Sequence, residues 1–234
     1  MPKKDDALDL YAKVEDLLGV KEAAPRLYEH YLFFLKSIAC DTLLDVGCGM
    51  GNFLFQVQER LDLSQVKGID LSSVMVSKTR EQGIDAEHLE MCEVEAQYDV
   101  ITAVFDMLNY LDKEECKRFF SCLKSHLHEG GYFLCDINTL YGFENVAVGS
   151  YIVDDEERFL TVDSDFEHGK YIAEFTLFEK KGTCYLKSQG RIRQYYYSVD
   201  DIVRYSGLKL LANENVTLYA LDEADKHFLV FQKI

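Results

Sequence analysis

The feature that most constrains this chain is an alternation. From residue 42 to residue 138, short apolar runs ("DTLLDVG", "QVKGIDLS", "IDAEHLE", "YDVITAVFD", "YFLCDIN") are separated by stretches of helical periodicity ("NFLFQVQERL", "SSVMVSKTREQG", "DKEECKRFFSCLKSHLHEGG"). Continuous apolar runs of that length suit strands buried on both faces, and each intervening helix must carry the chain back across the sheet. Repetition of this unit predicts a parallel sheet with helices on both faces and right-handed crossovers. The last of these helices opens with acids and closes on Lys, His and two glycines, as the helix dipole prefers, which predicts that it runs to Gly130 and Gly131.

The flanking segments have a different texture. Residues 5–39 read as helical, with Leu8, Tyr11, Val14, Leu17 and Leu18 in one stripe, a stop at Gly19 and a second helix starting near Pro25. From Tyr151 to Tyr197 the segments "RFLTVDSDFE", "KYIAEFTLFEK" and "TCYLKSQGRIRQYYY" alternate and are broken by "HGK" and "KKG", which predicts an antiparallel β meander. A short helix follows in "SVDDIVRYSG", with Ser198 as N-cap, Asp201 three residues on and Gly207 as the stop. "LKLLANENVTLYAL" and "KHFLVFQKI" read as two final strands. The expected organisation is a helical N-terminal lid at 1–40, an α/β core at 41–145 and 197–234, and a β insertion at 146–196 that would cap a substrate.

At 234 residues the chain can bury a sizeable core. No apolar run has the length of a membrane span, and "MPKKDDALDLY" lacks the apolar centre of a signal peptide, so no membrane association is expected and the default location is cytoplasmic. The seven cysteines form no C-x-x-C pair, which disfavours a zinc site and suggests free thiols, with no metal. A formal charge of −16 disfavours nucleic-acid partners, whose binding rests on Lys and Arg contacts. A monomer or a homodimer is expected.

Chemistry concentrates in "LLDVGCGMGNFLF", residues 43–55. A strand enters a glycine-rich turn and a helix leaves it, the setting of a nucleotide-type cofactor at the carboxyl edge of a parallel sheet. Gly47, Gly49 and Gly51 leave the backbone bare where a ligand must come close. The next strand ends at Asp70, whose carboxylate can accept both ribose hydroxyls of an adenosine group. The spacing is G-x-G-x-G rather than the dinucleotide G-x-G-x-x-G, and Asp45 precedes it. An acid there opposes a pyrophosphate and favours a cationic ligand.

"LLDVGCGMG" resembles the first motif of the class I S-adenosylmethionine-dependent methyltransferases, and Asp70 matches their second-strand acid. "YDVITAVFDMLNYL" resembles their fourth strand and following loop, "LHEGGYFLCDIN" the stretch into their fifth strand, and the final pair their reversed seventh strand. The resemblance, over residues 40–140 and 197–234, implies a Rossmann-like sheet with a reversed last strand and S-adenosyl-L-methionine as cofactor. It implies that Gly47, Cys48 and Gly49 approach the methionine half, that Asp45 meets its positive charge, that Asp70 holds the ribose and that Leu71 packs on adenine. His88 and Leu89 fall where the adenine contacts of the third-strand loop lie, though the local sequence departs from the usual pattern. Phe105 and Asp106 would flank the methionine part, and Tyr11 resembles a tyrosine that closes over the cofactor in small-molecule members.

The acceptor is not spelled out in this way. Asn109 and Tyr110 lie at the expected methyl end, and Asp136, Asn138 and Tyr141 follow the fifth strand. In "GRIRQYYY", Arg191, Arg193 and Tyr195 share one strand face, with Gln194 and Tyr196 on the other. Asn109, Tyr110 and Tyr141 are the catalytic candidates; Asn138, Arg191, Arg193 and Tyr196 are the substrate candidates. An inserted meander after the fifth strand resembles the lids of small-molecule methyltransferases, which implies a small-molecule N or O acceptor. The alternatives are an NAD-dependent oxidoreductase, a non-catalytic S-adenosylmethionine-binding protein, and a protein or tRNA methyltransferase.

Overall fold

The apolar pattern folds as its periodicity requires. The computed structural model describes residues 4–220 and 222–234; residues 1–3 of the expected lid and Leu221 at the end of a predicted strand lie outside the described residues. The helices are α1 (Lys4–Ala12), α2 (Val20–Ser37), α3 (Asn52–Arg60), α4 (Ser73–Glu81), α5 (Lys113–His126) and α6 (Val199–Ser206). The first five strands are β1 (Thr42–Val46), β2 (Gln65–Asp70), β3 (Asp85–His88), β4 (Tyr98–Ala103) and β5 (Leu127–Asn138). They are followed by β6 (Gly149–Asp154), β7 (Arg158–Glu167), β8 (Lys170–Lys181), β9 (Cys184–Tyr195), β10 (Lys209–Val216) and β11 (Lys226–Gln232).

The main sheet has seven strands in the order β10-β11-β5-β4-β1-β2-β3. Strands β1 to β5 are parallel, while β11 runs antiparallel to β5 and to β10, so the expected reversal of the last strand is present. Neighbours along each strand feed opposite layers, as a two-period demands. Leu43 joins α2 and α3 in one core, with Leu27, Leu32, Phe53 and Leu54, whereas Leu44 joins α5 and α6 in the other, with Phe119, Phe120 and Ile202. Burying one such leucine or phenylalanine stabilises by about 1.5–3 kcal/mol, so the sheet is held from both sides.

The smaller sheet is an antiparallel meander in the order β6-β7-β8-β9. Its inner face carries Leu160, Val162, Ala173, Phe175, Leu177 and Ile192, and these receive Leu10 and Val14 from the N-terminal segment. Ser72 donates to Asp9 at 2.6 Å, so α1 also touches the main sheet's edge loops. The N-terminal segment thus lies between the two sheets.

Three sequence expectations shift. Gly19, at φ 70, turns the chain so that α2 begins at Val20, and Pro25 sits inside the helix, where it removes one intrahelical donor. Helix α5 stops at His126 instead of reaching the glycines, because buried Leu127 pairs with Tyr98 and a register shift follows before Val100 meets Tyr132. The expectation of free thiols fails at one pair: Cys92 and Cys122 form a disulfide across a sequence separation of 30. The turn Met91–Glu93 packs on α5, and that proximity is tertiary, invisible to residue spacing. Among the described residues no helix is long and apolar enough to cross a membrane.

Candidate functional site

The carboxyl ends of β1, β2 and β4 open into a cavity of about 1040 Å³, covered by α1, β8 and β9. The glycine turn after β1 forms its floor. Gly47 and Cys48 donate their N–H groups to Ile69 O at 2.8 and 3.0 Å, and Gly49 N–H donates to Asp70 Oδ2 at 2.9 Å. The turn is thereby tied to the end of β2. Gly47 has φ +72, and a Cβ there would lie 2.7 Å from Met107 Cγ, so both backbone and space demand glycine.

Asp70 accepts from Gly49 through one oxygen and from Ser72 N–H, at 2.8 Å, through the other. Each oxygen keeps a further lone pair for a ligand hydroxyl. Burial raises its pKa, and the backbone donors from Ser72 and Gly49 pull the other way. Leu71, Leu89 and Met91 add apolar wall beside it. Asp45 is 1% exposed and accepts from Thr102 Oγ1 at 2.7 Å. Burial pushes its pKa up to about 8, against the hydrogen bond from Thr102, with the charges of Asp70 and Asp136 adding to the rise. At neutral pH this carboxyl therefore holds a proton unless a cation stands beside it.

Beyond β4 the chain takes two consecutive left-handed residues, Phe105 at φ 59 and Asp106 at φ 49. Such conformations cost non-glycine residues about 1–3 kcal/mol each and persist only where their surroundings impose them. Here Asp136, buried at the end of β5, imposes them: its two oxygens accept from Phe105 N–H at 2.7 Å and Asp106 N–H at 2.8 Å. Tyr31 donates to the same carboxylate at 2.7 Å. The turn puts the Phe105 ring in the cavity wall, edge-on to Tyr28 at 6.0 Å, and sends the Asp106 side chain the other way. There it accepts from Lys226 Nζ and Gln194 Nε2, each at 2.5 Å.

The far side of the cavity is aromatic. Tyr11 packs edge-on to Phe175 at 6.4 Å, and Tyr110 stands nearby. Burial lifts the phenols of Tyr11, Tyr110 and Tyr28 above their ordinary range, helped by neighbouring acids, so they stay protonated at neutral pH. Arg191 pairs with Glu174 across β8 and β9, while Arg193 stands opposite the apolar Ile172.

The cavity collects most of the residues singled out from the sequence. Asp45, Gly47, Cys48, Gly49, Asp70, Leu71 and Leu89 line it from the glycine-turn side, and Tyr11, Phe105, Tyr110, Arg191 and Arg193 from the covered side. The other candidates are turned elsewhere. His88 is exposed, and its Nε2 lies 2.8 Å from Leu71 O, so it props the loop after β2 and does not line the cavity. Asp106 faces Lys226. Asn109 is fully buried and joins three elements, donating to Tyr195 O at 2.8 Å and accepting from Asn138 N–H at 3.0 Å. The Asn138 side chain accepts from Lys226 at 2.9 Å. Tyr141 precedes the π-helical turn Gly142–Ala147, and Tyr196 packs edge-on to Phe143 at 6.5 Å. Both lie outside the cavity wall.

Sequence reasoning missed Tyr28, Phe175 and Lys226. Tyr28 and Phe175 read as ordinary apolar-stripe residues. Lys226 carried one signal, a charge at the mouth of an otherwise apolar strand.

Residues 43–131 match the family model described as methyltransferase domain. No curated protein sequence matches the chain. Among solved structures, an S-adenosylmethionine-dependent methyltransferase from Clostridium acetobutylicum ATCC 824 is 22% identical, with 96% of this chain and 99% of that one covered and a TM-score of 0.78. The amino pentose methyltransferase CalS10 from Micromonospora echinaspora, solved with S-adenosylmethionine bound, is 18% identical over 99% of this chain and 93% of its own, at TM-score 0.65. The sugar N-methyltransferase KedS8 from Streptoalloteichus sp ATCC 53650 is 16% identical over 97% and 87%, at TM-score 0.66. At these identities the likeness establishes the fold.

Proposed function

We propose that this chain, whose residues 43–131 match a methyltransferase domain, is a class I S-adenosylmethionine-dependent methyltransferase whose acceptor is an amine nitrogen on a small molecule. The donor side fits this cofactor. The spare lone pairs of Asp70 suit the ribose hydroxyls, and the apolar wall of Leu71, Leu89 and Met91 suits adenine. The bare turn at Gly47–Gly49 leaves room for the methionine half, and Asp45 is a carboxyl that a cation would draw into its ionised form. When bound, S-adenosylmethionine supplies a methyl group activated by the positive charge on its sulfur. The protein's part is then placement, since transfer of this kind gains chiefly from holding the two reactants in line. The N-terminal segment and the small sheet would supply the acceptor's cover.

The observation that carries the nitrogen assignment is the state of the cavity's titratable groups. Among the described residues its lining contains no histidine, and the phenols of Tyr11, Tyr28 and Tyr110 are held protonated by burial. Its carboxylates are engaged: Glu174 with Arg191, Glu90 with Arg118, Asp112 and Glu115 in the cap of α5, Asp45 with Thr102 and Asp70 with backbone N–H groups, while Glu15 also has a partner. A hydroxyl acceptor needs a base to take its proton as it attacks. A neutral amine brings its own lone pair and releases a proton to water after the transfer. Neutral phenols can accept its N–H bonds, and their rings favour a cation. The amino-sugar and sugar-N activities named for CalS10 and KedS8 support the same choice.

The test is a panel of matched small molecules differing only in amino against hydroxyl, incubated with S-adenosylmethionine and followed by mass spectrometry of both products. Methylated product and S-adenosylhomocysteine are expected from amino members. Turnover confined to the hydroxyl members would overturn the nitrogen assignment.

A further inference from the structure

Lys226 is a buried charge that the donor and acceptor readings leave unused. It opens β11, far in sequence from the glycine turn, and is 2% exposed. Its ammonium donates to Asp106 Oδ1 at 2.5 Å, Asp136 Oδ2 at 3.0 Å and Asn138 Oδ1 at 2.9 Å, so all three of its protons have acceptors. Those acceptors belong to the turn after β4 and to the end of β5, and the Nζ stands 5.7 Å from the centre of the Phe105 ring. Burial alone would discharge a lysine; the two carboxylates outweigh it and keep the ammonium charged.

The cluster does one identifiable thing. Asp136 holds the left-handed turn by accepting from Phe105 and Asp106 N–H, and Asp106 is anchored between Lys226 and Gln194. Without the ammonium, two carboxylates would share a buried site and could not both stay ionised in place. One would take up a proton or the pair would move apart. Either change loosens the acceptor that keeps Phe105 and Asp106 at positive φ, and the Phe105 ring would leave the cavity wall.

We propose that Lys226 is a positioning residue for methyl transfer, acting through Asp106 and Asp136 to hold the Phe105–Asp106 turn against the cofactor cavity. This rests on the S-adenosylmethionine reading of that cavity. The charge logic supplies a rescue that a space-filling role would not. Lys226→Met keeps the length of the side chain but leaves two carboxylates unbalanced. Lys226→Met combined with Asp106→Asn returns the cluster to its native net charge, and the new amide can donate to Asp136 in place of the ammonium.

The experiment is calorimetric titration of S-adenosylhomocysteine into the native protein, Lys226→Met and the double variant, with circular dichroism confirming that each is folded. Lys226→Met is expected to bind more than fivefold more weakly than the native protein, and the double variant to recover to within fivefold of it. A Lys226→Met loss smaller than fivefold, or a folded double variant that does not recover, overturns the proposal. If Lys226→Met does not fold, the double variant decides alone by the same criterion. Failure of the native protein to bind would instead strike the cofactor reading itself, so the two failures are told apart.

Discussion

The two ends of the cavity are built in opposite ways. The glycine-turn end is compact. Between Asp45 and Asp70 the chain makes one turn, one helix and one strand, and parallel pairing of β1 with β2 sets Asp45 opposite Gly68 and Val46 opposite Ile69. Register alone brings the two acids and the bare backbone together. The covered end is dispersed: Tyr11 comes from α1, Tyr110 from the turn after β4, Phe175 from β8 and Arg193 from β9. What unites them is a small apolar cluster in which Leu10 and Val14 dock on Leu160, Phe175 and Ile192. An end fixed by strand register tolerates little change, whereas one assembled by docking a separate layer can be altered without disturbing its counterpart.

Glycine substitution should expose that contrast most strongly. Gly47→Ala meets both a left-handed backbone, costing about 1–2 kcal/mol, and a crowded Met107, costing about 1–3 kcal/mol more. A fall in melting temperature of about 5–10 °C is expected in a thermal melt. Gly182→Ala, in the β8–β9 hairpin at φ +64 with nothing within 4 Å, should lose only the conformational part. Equal losses at the two glycines would break the comparison.

The next effect is in pH. The folded pKa of Asp45 is raised to about 8, above its unfolded value of about 4, so the folded state holds an extra proton between those values. That contribution to stability is lost as pH rises through the window. Binding has the opposite dependence, because a cationic ligand needs the ionised form. S-adenosylmethionine affinity, measured by calorimetry at several pH values, should rise by up to about tenfold per pH unit below 8 and then level off. Asp45→Asn should flatten that profile and gain thermal stability over the native protein as pH increases.

Smaller effects belong to the covered end. Val14→Ala removes fully buried methyl groups between α1 and the small sheet, which should cost about 2 kcal/mol in a denaturant melt. Affinity for S-adenosylhomocysteine should change less than threefold; a loss in step with stability would mean that the two ends are not separable. Arg193→Ala should do least, within about 0.5 kcal/mol of native stability and with unchanged S-adenosylhomocysteine affinity.

The same contrast explains what could be read in advance. Strand and helix alternation, the glycine spacing and Asp70 are local patterns, and the parallel part of the main sheet follows them, while the reversal of β11 is what the family resemblance implies. Strands β7, β8 and β9 of the antiparallel meander are equally plain, since each alternates along its own length, whereas β6 is not among the segments read from the sequence. The covered end depends on which layer docks where, and nothing local in "LDLYAKVEDLL" says that Leu10 and Val14 will meet β7, β8 and β9. Asn109 and Asn138 looked like site residues because they are polar and follow strands; the structure spends Asn109 on joining β9 to β5, and Asn138 on Lys226. His88 faces the wrong way because β3 ends one residue before the wall begins at Leu89. The Lys226 cluster draws on β4, β5, β9 and β11, and such a convergence has no signature in any single stretch.

The central claim is that Asp70 and the glycine turn together form the S-adenosylmethionine site. Calorimetric titration of S-adenosylhomocysteine into the native protein and Asp70→Ala, side by side, tests it most directly. Removing the carboxylate takes away the proposed ribose partner and the tie to Gly49 N–H; hydrogen bonds to a charged group are worth about 1.5–3 kcal/mol each, so a loss of at least about tenfold is expected. Saturable one-to-one binding by the native protein, with that loss in the variant, is the result the account predicts. No binding by the native protein, or equal binding by both, would contradict it.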